Sequence, residues 1–175
     1  MGRVVRDWGI VLVLLAGVLS AAAPASAGAS AGAAPLSHPE GGTLDGFAIH
    51  HVPSSAAGAD VFDTDYEWGG VSFAARFWER EVDGGHRVDM QVLVMRGDSL
   101  DSAAALRSFL AEYHERDAAT WAPTGFDHDG APGFRGDREA FWLQEPGVAV
   151  EVRDSSGVLG EEELVATALG VRPED

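Results

Sequence analysis

Two apolar periods meet in one stretch of this chain, His86 to Asp117. From Arg87 to Met95 the pattern alternates. Val88, Met90, Val92 and Val94 fall on one side, Arg87, Asp89 and Gln91 on the other, which predicts a half-buried strand. Arg96-Gly97-Asp98 then turns the chain. Leu100, Ala103, Leu106, Phe109, Leu110 and Tyr113 follow at helical spacing and predict an amphipathic helix to about His114 or Glu115. Ser99 or Asp101 is placed to cap it. The core is expected to condense on this strand and helix.

Upstream, Gly46 to Val52 reads as a first strand ended by Pro53, and Ser54 to Asp65 as a loop. In the segment Tyr66 to Glu81, Val71, Phe73, Ala75 and Phe77 alternate with Ser72, Ala74, Arg76 and Trp78, a second strand in which Gly69-Gly70 is a bulge or the true start. Asp83-Gly84-Gly85 supplies a hairpin turn into the Arg87–Met95 strand. The pair should carry one apolar and one wet face. Downstream, Trp121 to Gly136 reads as loop with at most short strands. Glu139 to Arg153 forms a second hairpin around Pro146-Gly147, with Phe141 and Leu143 sharing the core face of Val148, Val150 and Val152. Glu161, Glu162 and Glu163 suit the positive end of a last helix running to Leu169 and closed by Gly170. The order β-β-β-α-β-β-α predicts a single α+β domain over residues 44–171. Its antiparallel sheet has about five or six strands, built on two hairpins, with two helices packed on one face. A closed small barrel is the second choice.

The N-terminus follows a different pattern. Arg3 and Arg6 precede an apolar run from Gly9 to Ala23, then Pro24 and Ala25-Ser26-Ala27. This predicts a signal peptide over 1–27, cleaved after Ala27, and a secreted protein. An N-terminally membrane-anchored form is the alternative. Residues 28–43, rich in Ala, Gly, Ser and Pro, read as a disordered leader.

Composition narrows the chemistry. There is no cysteine, so disulfides, thiol nucleophiles and thiolate metal sites are excluded. The chain carries 12 basic against 28 acidic residues, a formal net charge of −16. All of the basic residues are arginine. Such a balance argues against nucleic acid and anionic membrane surfaces as partners, since both need a basic face. The absence of lysine removes Schiff-base chemistry and a Ser–Lys dyad.

No catalytic or metal-ligating spacing stands out. His50-His51 on a strand point to opposite faces, and His38, His86, His114 and His128 are isolated. Asp127-His128-Asp129-Gly130 and Asp60, Asp63 and Asp65 are fragments of a calcium pattern, more simply turn and surface acids. No nucleophile elbow, phosphate loop or cofactor motif is present. The polar run Glu112, His114, Glu115, Arg116 and Asp117 reads as the solvated last turn of its helix. The tryptophans carry more information. Trp78 and Trp142 fall on the polar phase of their strands, so either a covering layer buries them or they form a binding surface, with Trp121 in the loops as a third member.

Three segments carry a resemblance: Ala104 to Asp117, Phe126 to Gly133, and Glu139 to Arg153. Together they resemble small exported proteins of actinomycetes that have no assigned function. More loosely, Trp142, Gly147, Val148–Val152 and Glu161–Leu169 are similar to extracytoplasmic domains of unknown function in membrane-linked regulators and lipoproteins. The lipid-anchor cysteine of such lipoproteins is absent here. The resemblance implies export and brings no catalytic residues.

The functional expectation is a secreted, non-enzymatic binding or interaction module for an unknown protein or small ligand. A small secreted hydrolase with a dispersed site is the alternative. A pocket joining two carboxylates or a Ser–His pair would favour the hydrolase. An exposed Trp78–Trp142 patch would favour binding, and function is expected on the sheet's other face or in the loops around Trp121.

Overall fold

A computed structural model describes residues 41–174. The expected signal peptide, and the leader up to residue 40, lie outside the described residues. Ten strands form two sheets. The first strands are β1 (Gly42–Leu44), β2 (Phe47–Ile49), β3 (Asp60–Trp68), β4 (Val71–Val82) and β5 (Gly85–Arg96). Helix α1 (Ala103–Tyr113) follows, then β6 (Thr124–His128), β7 (Ala131–Arg135), β8 (Glu139–Glu145) and β9 (Val148–Arg153). Helix α2 (Glu161–Leu169) and β10 (Val171–Pro173) complete the chain. The α+β class and the two helices agree with the sequence reading. The five or six strands expected become ten, in sheets of three and seven.

The large sheet has the order β3-β4-β5-β9-β8-β7-β6 and is antiparallel throughout. It consists of two meanders, β3-β4-β5 and β6-β7-β8-β9, joined by the β5–β9 pair. The small sheet, β1-β2-β10, unites the two ends of the described chain.

β3 occupies the second half of the expected Ser54–Asp65 loop. It is an edge strand, exposed over its first six residues, and three of those are Asp. With little apolar surface to bury, it lacks the period that marks a core strand. Charged edges of this kind resist pairing with other chains. β6 and β7 pair as a hairpin of two five-residue strands where loop with at most short strands was expected. Asp129 (φ 52°) and Gly130 (φ 92°) make its turn, a pair of positive φ values typical of tight hairpins. At Gly133 an added Cβ would lie 2.3 Å from the Phe141 carbonyl oxygen, so β7 approaches β8 too closely for any side chain.

The wet face expected for the sheet is not found, because the central strands are buried on both sides. Leu93, Met95, Phe73, Phe141 and Ala149 pack under α1 through Leu106 and Leu110. On the opposite face, Met90, Val92, Val94, Val150 and Val152 pack with Leu164 and Ala168 of α2 and with Phe47, Ile49 and Val171 of the small sheet. The second helix and the small sheet therefore cover the face expected to be exposed.

Two bulges decide which side chain enters which layer. Counting back from the Pro146-Gly147 turn pairs Phe141 with Val152. The irregularity between Leu143 and Glu145 instead pairs Trp142 with Val150 and Phe141 with Glu151. One extra residue reverses the parity of the rest of the strand. Phe141 and Leu143 consequently lie under α1, while Val150 and Val152 lie on the opposite face. A second shift at Trp78/Glu79 pairs Trp78 with Met90 and Glu79 with Val88, leaving Asp89 as the extra residue. Helix α1 is capped by Ser102, whose Oγ accepts from the Ala105 amide at 3.2 Å, rather than by Ser99 or Asp101.

Candidate functional site

The tryptophans separate. Trp78 and Trp142 are 3% and 0% exposed, both in the layer beneath α2 and the small sheet. Trp142 stacks on the His128 ring at 4.0 Å. His128 Nε2 in turn donates to the Ala168 carbonyl at 2.9 Å, a histidine satisfied within the core. The exposed Trp78–Trp142 patch does not form, because the polar phase of their strands is covered. Trp121 is half-buried and lines an open cleft of about 520 Å³.

Three segments build that cleft: the loop from Arg116 to Pro123 after α1, the Gly136–Glu139 turn between β7 and β8, and Arg153 to Ser155 at the end of β9. They meet because Glu139 pairs with Arg153 across β8 and β9, and both lie below the C-terminal end of α1. That helix ends in a Schellman turn. Arg116 N–H donates to the Ala111 carbonyl (2.7 Å) and Glu115 N–H to that of Glu112 (3.0 Å), with Glu115 at φ 51°. The turn sends Arg116 back across the sheet instead of out to solvent.

The polar run after α1 is solvated only in part: Glu112, Glu115 and Asp117 are exposed as expected, whereas His114 and Arg116 turn inward. Arg116 grips the buried Glu139 through two bonds, Nη1 to Oε1 at 2.8 Å and Nη2 to Oε2 at 2.7 Å. The Trp121 indole N–H donates to the same Oε1 at 3.1 Å, and the Arg116 guanidinium lies over the Trp121 ring at 5.0 Å. With Phe141 stacked at 5.5 Å, Trp121 is fixed as a wall. An added Cβ at Gly136 would fall 2.5 Å from Glu139 Oε1, so glycine there leaves room for the carboxylate.

A second buried carboxylate stands beside the first. Glu151 is 0% exposed and faces His114, whose Nε2 lies 2.9 and 3.1 Å from its two oxygens. Arg153 Nη1 lies 3.2 Å from His114 Nδ1. Guanidinium only donates, so Nδ1 accepts and the imidazole proton sits on Nε2, donated to Glu151. Arg153 Nε is 3.7 Å from Glu151 and is buried without a hydrogen-bond partner. Next to this group Tyr66 and Tyr113 share a 2.6 Å hydroxyl contact. Burial raises both phenols above their ordinary range, and the Glu151 charge raises them further.

The remaining acids are engaged in structure. Asp154 accepts from the amides of Val158 (2.8 Å) and Leu159 (3.0 Å) and so holds the loop into α2. Asp89, the bulge residue, is fully buried. Burial alone would raise its carboxyl, but hydrogen bonds from Arg87 (2.7 Å) and Arg80 (3.0 Å) outweigh this and hold it below the usual range. Arg80 also donates to the carbonyls of Ser55 and Ala57, tying down the loop before β3. In the two calcium-like fragments, Asp127 accepts from Gly130 N–H within the hairpin turn, and Asp63 takes two bonds from Arg76. Among the described residues no group of three or more His, Asp or Glu is arranged to hold a metal ion.

Sequence reasoning singled out Trp121 but not the arginines beside it or Glu139, Glu151 and Arg153. The available signal was Glu139 and Glu151 at sheet positions next to otherwise apolar neighbours, where a carboxylate needs a partner. Comparison with protein families, with curated proteins and with solved structures found no match to this chain.

Proposed function

We propose that this chain is an exported, non-enzymatic binding module whose ligand site is the Trp121 cleft. The observation that carries the reading is the way the cleft's acids are used. Glu139 is saturated by Arg116 and Trp121, and Asp154 by backbone amides. Two of the three carboxylates lining the cleft are thus unavailable as acid or base, and Asp137 stands alone at the surface. Ser155 bonds to Gln91 (2.5 Å) and not to a histidine. A hydrolytic pair is therefore missing from this cleft, whereas rigid aromatic and arginine walls suit recognition; a second hollow of about 420 Å³, beside Asp45, Asp65, Glu67 and Ser72, has no histidine in its lining. The volume lies within the range of about 300–1,000 Å³ typical of small-molecule sites. Export is supported by the N-terminal pattern of charge, apolar run and Ala-Ser-Ala, and by the resemblance to secreted actinomycete proteins.

A fragment screen followed by amide chemical shifts tests the site. Binding compounds should move Gly136, Glu139 and Ser155 and leave Trp78 and Trp142 unmoved. Shifts confined to another surface, or turnover of an ester, peptide or glycoside that Asp137→Asn abolishes, would replace this reading. Sequencing the N-terminus of the secreted protein should give Gly28, and a start at Met1 would refute cleavage.

A further inference from the structure

Ten arginines fall within the described residues, and eight of them have a carboxylate within 4.0 Å. The other two are Arg107 and Arg138. Arg107 donates to the Trp121 carbonyl at 2.7 Å and lies over the Phe134 ring at 5.9 Å. Arg138 is exposed at the cleft rim and, among the described residues, has no acidic partner. In a chain of net charge −16 an arginine without an acid is out of pattern. Arg153, which lines the same cleft, is the least satisfied of the eight. Its nearest carboxylate contact is 3.7 Å, one donor goes to an imidazole nitrogen, and its Nε is buried without a partner. Ser155 also lines the cleft, and its Oγ accepts from Gln91 and keeps its own proton to donate.

The unspent hydrogen-bonding capacity of the cleft is therefore mostly donor. Of its three carboxylates Glu139 and Asp154 are occupied and only Asp137, at the exposed rim, is free, while Arg138, the part of the Arg153 guanidinium beyond its buried Nε, and Ser155 hold donor groups. Trp121, Ala122 and Pro123 add a short apolar stretch to the lining. From this arrangement we infer that the cleft binds a small molecule with an oxyanion head, carboxylate or phosphate, held by Arg138 and Arg153, and an apolar body laid against Trp121 and Pro123. Guanidinium suits such a head because its planar donors match two oxygens at once. The overall acidity of the protein does not prevent this, since at physiological salt the screening length is about 8 Å and recognition depends on the nearest charges.

The inference rests on the cleft being the binding site, and the test separates the two claims. The purified protein is titrated with benzoate, phenyl phosphate, inorganic phosphate and neutral benzamide, following amide shifts at Gly136, Glu139 and Ser155. Benzoate or phenyl phosphate should bind at least about tenfold more tightly than benzamide. Arg138→Ala, at an exposed position that leaves the core untouched, should remove that margin, and Arg138→Lys should restore part of it. Arg153→Lys should weaken the same two probes while leaving benzamide unchanged. Equal binding of benzamide and benzoate at these residues would overturn the oxyanion inference and leave the cleft as the site. Anion binding that Arg138→Ala does not alter would overturn it as well. Absence of any shift at the cleft with all four probes at millimolar concentration would overturn both claims.

Discussion

His114 Nε2 lies 2.9 Å from Glu151 Oε1, across a separation of 37 residues and inside the protein. The imidazole closes helix α1 and the carboxylate is at the centre of the large sheet. The contact fixes the helix end over the sheet, and Arg153 behind it fixes the tautomer. Removing the carboxylate would leave the buried His114 N–H without an acceptor and the half-buried Arg153 without its nearest anion. Glu151→Ala should therefore cost about 1–3 kcal/mol, the range for leaving a buried polar group unsatisfied. Glu67→Ala, at an exposed position, should stay within about 0.5 kcal/mol. Urea denaturation of both variants measures the contrast, and equal effects would remove the structural role given to this pair.

The chain contains two tyrosines, and they touch. Phenolate absorbance therefore reports Tyr66 and Tyr113 alone. Burial keeps both neutral, so each folded-state pKa lies above the unfolded value of 10.0. Their contribution to stability is complete below the unfolded pKa and is lost as pH rises from there through the folded values. In an alkaline titration, phenolate absorbance should appear together with loss of the near-ultraviolet circular dichroism of the folded state. Tyrosines that ionise freely near their ordinary pKa in a still-folded protein would contradict the packing described.

Asp89 has the opposite sign. Its folded pKa lies below the ordinary value of 3.8, because the bonds from Arg87 and Arg80 outweigh burial. The stability it supplies is present above the unfolded pKa and is lost as pH falls through the folded one. Asp89→Asn should lower stability at neutral pH and flatten the acid limb of the stability curve. Chemical denaturation at pH steps down through the carboxylate range measures both, and an acid limb unchanged in Asp89→Asn would place the acid sensitivity elsewhere.

Gly133→Ala tests the close approach of β7 to β8. Its Cβ would meet backbone at 2.3 Å, which no side-chain rotation relieves. The β7 strand must move, at a cost of at least about 1–3 kcal/mol. Because Glu139 and the Gly136 turn follow on the same hairpin, the variant should also weaken any ligand of the Trp121 cleft. Gly125→Ala, on the neighbouring β6 strand with nothing within 4 Å of its Cβ, is the control and should be tolerated.

Local signals located most of the elements. The Arg87–Met95 strand, α1, the β8–β9 hairpin and α2 are all found where periodicity placed them. The first meander is the least legible part. β3 is exposed and acidic over most of its length, and its pairing with β4 depends on Phe62 stacking on Phe77 and Tyr66 on Phe73. Those contacts exist only once the hairpin has closed. Burial of the second face was partly written in the sequence. Leu93 and Met95 are apolar on the phase opposite Val92 and Val94, and Trp78 and Trp142 repeat the signal on their strands. Read together, they describe strands packed on both sides.

The cleft was less accessible still. Trp121 marked its neighbourhood, but Arg116 and His114 looked like helix-end polar residues, and Glu139 and Glu151 like members of an alternating strand. Their pairing depends on a Schellman turn with a glutamate in the left-handed region, a geometry that sequence preference would assign to glycine.

By itself, the sequence determined the kind of chain this is: cysteine-free, acidic, built from hairpins and two amphipathic helices, because composition and period are local quantities. Only the tertiary structure decided which face each side chain occupies. A single bulge at Leu143/Glu145 reverses the parity of β8, and that at Trp78/Glu79 leaves Asp89 unpaired. It also decided that a helix end, a strand pair and a turn converge, so that Glu139 and Glu151 find their hydrogen-bond donors while Arg138, among the described residues, is left without an acid. Burial makes an unpartnered charge costly, and which charges are buried is fixed by contacts between residues far apart in the chain.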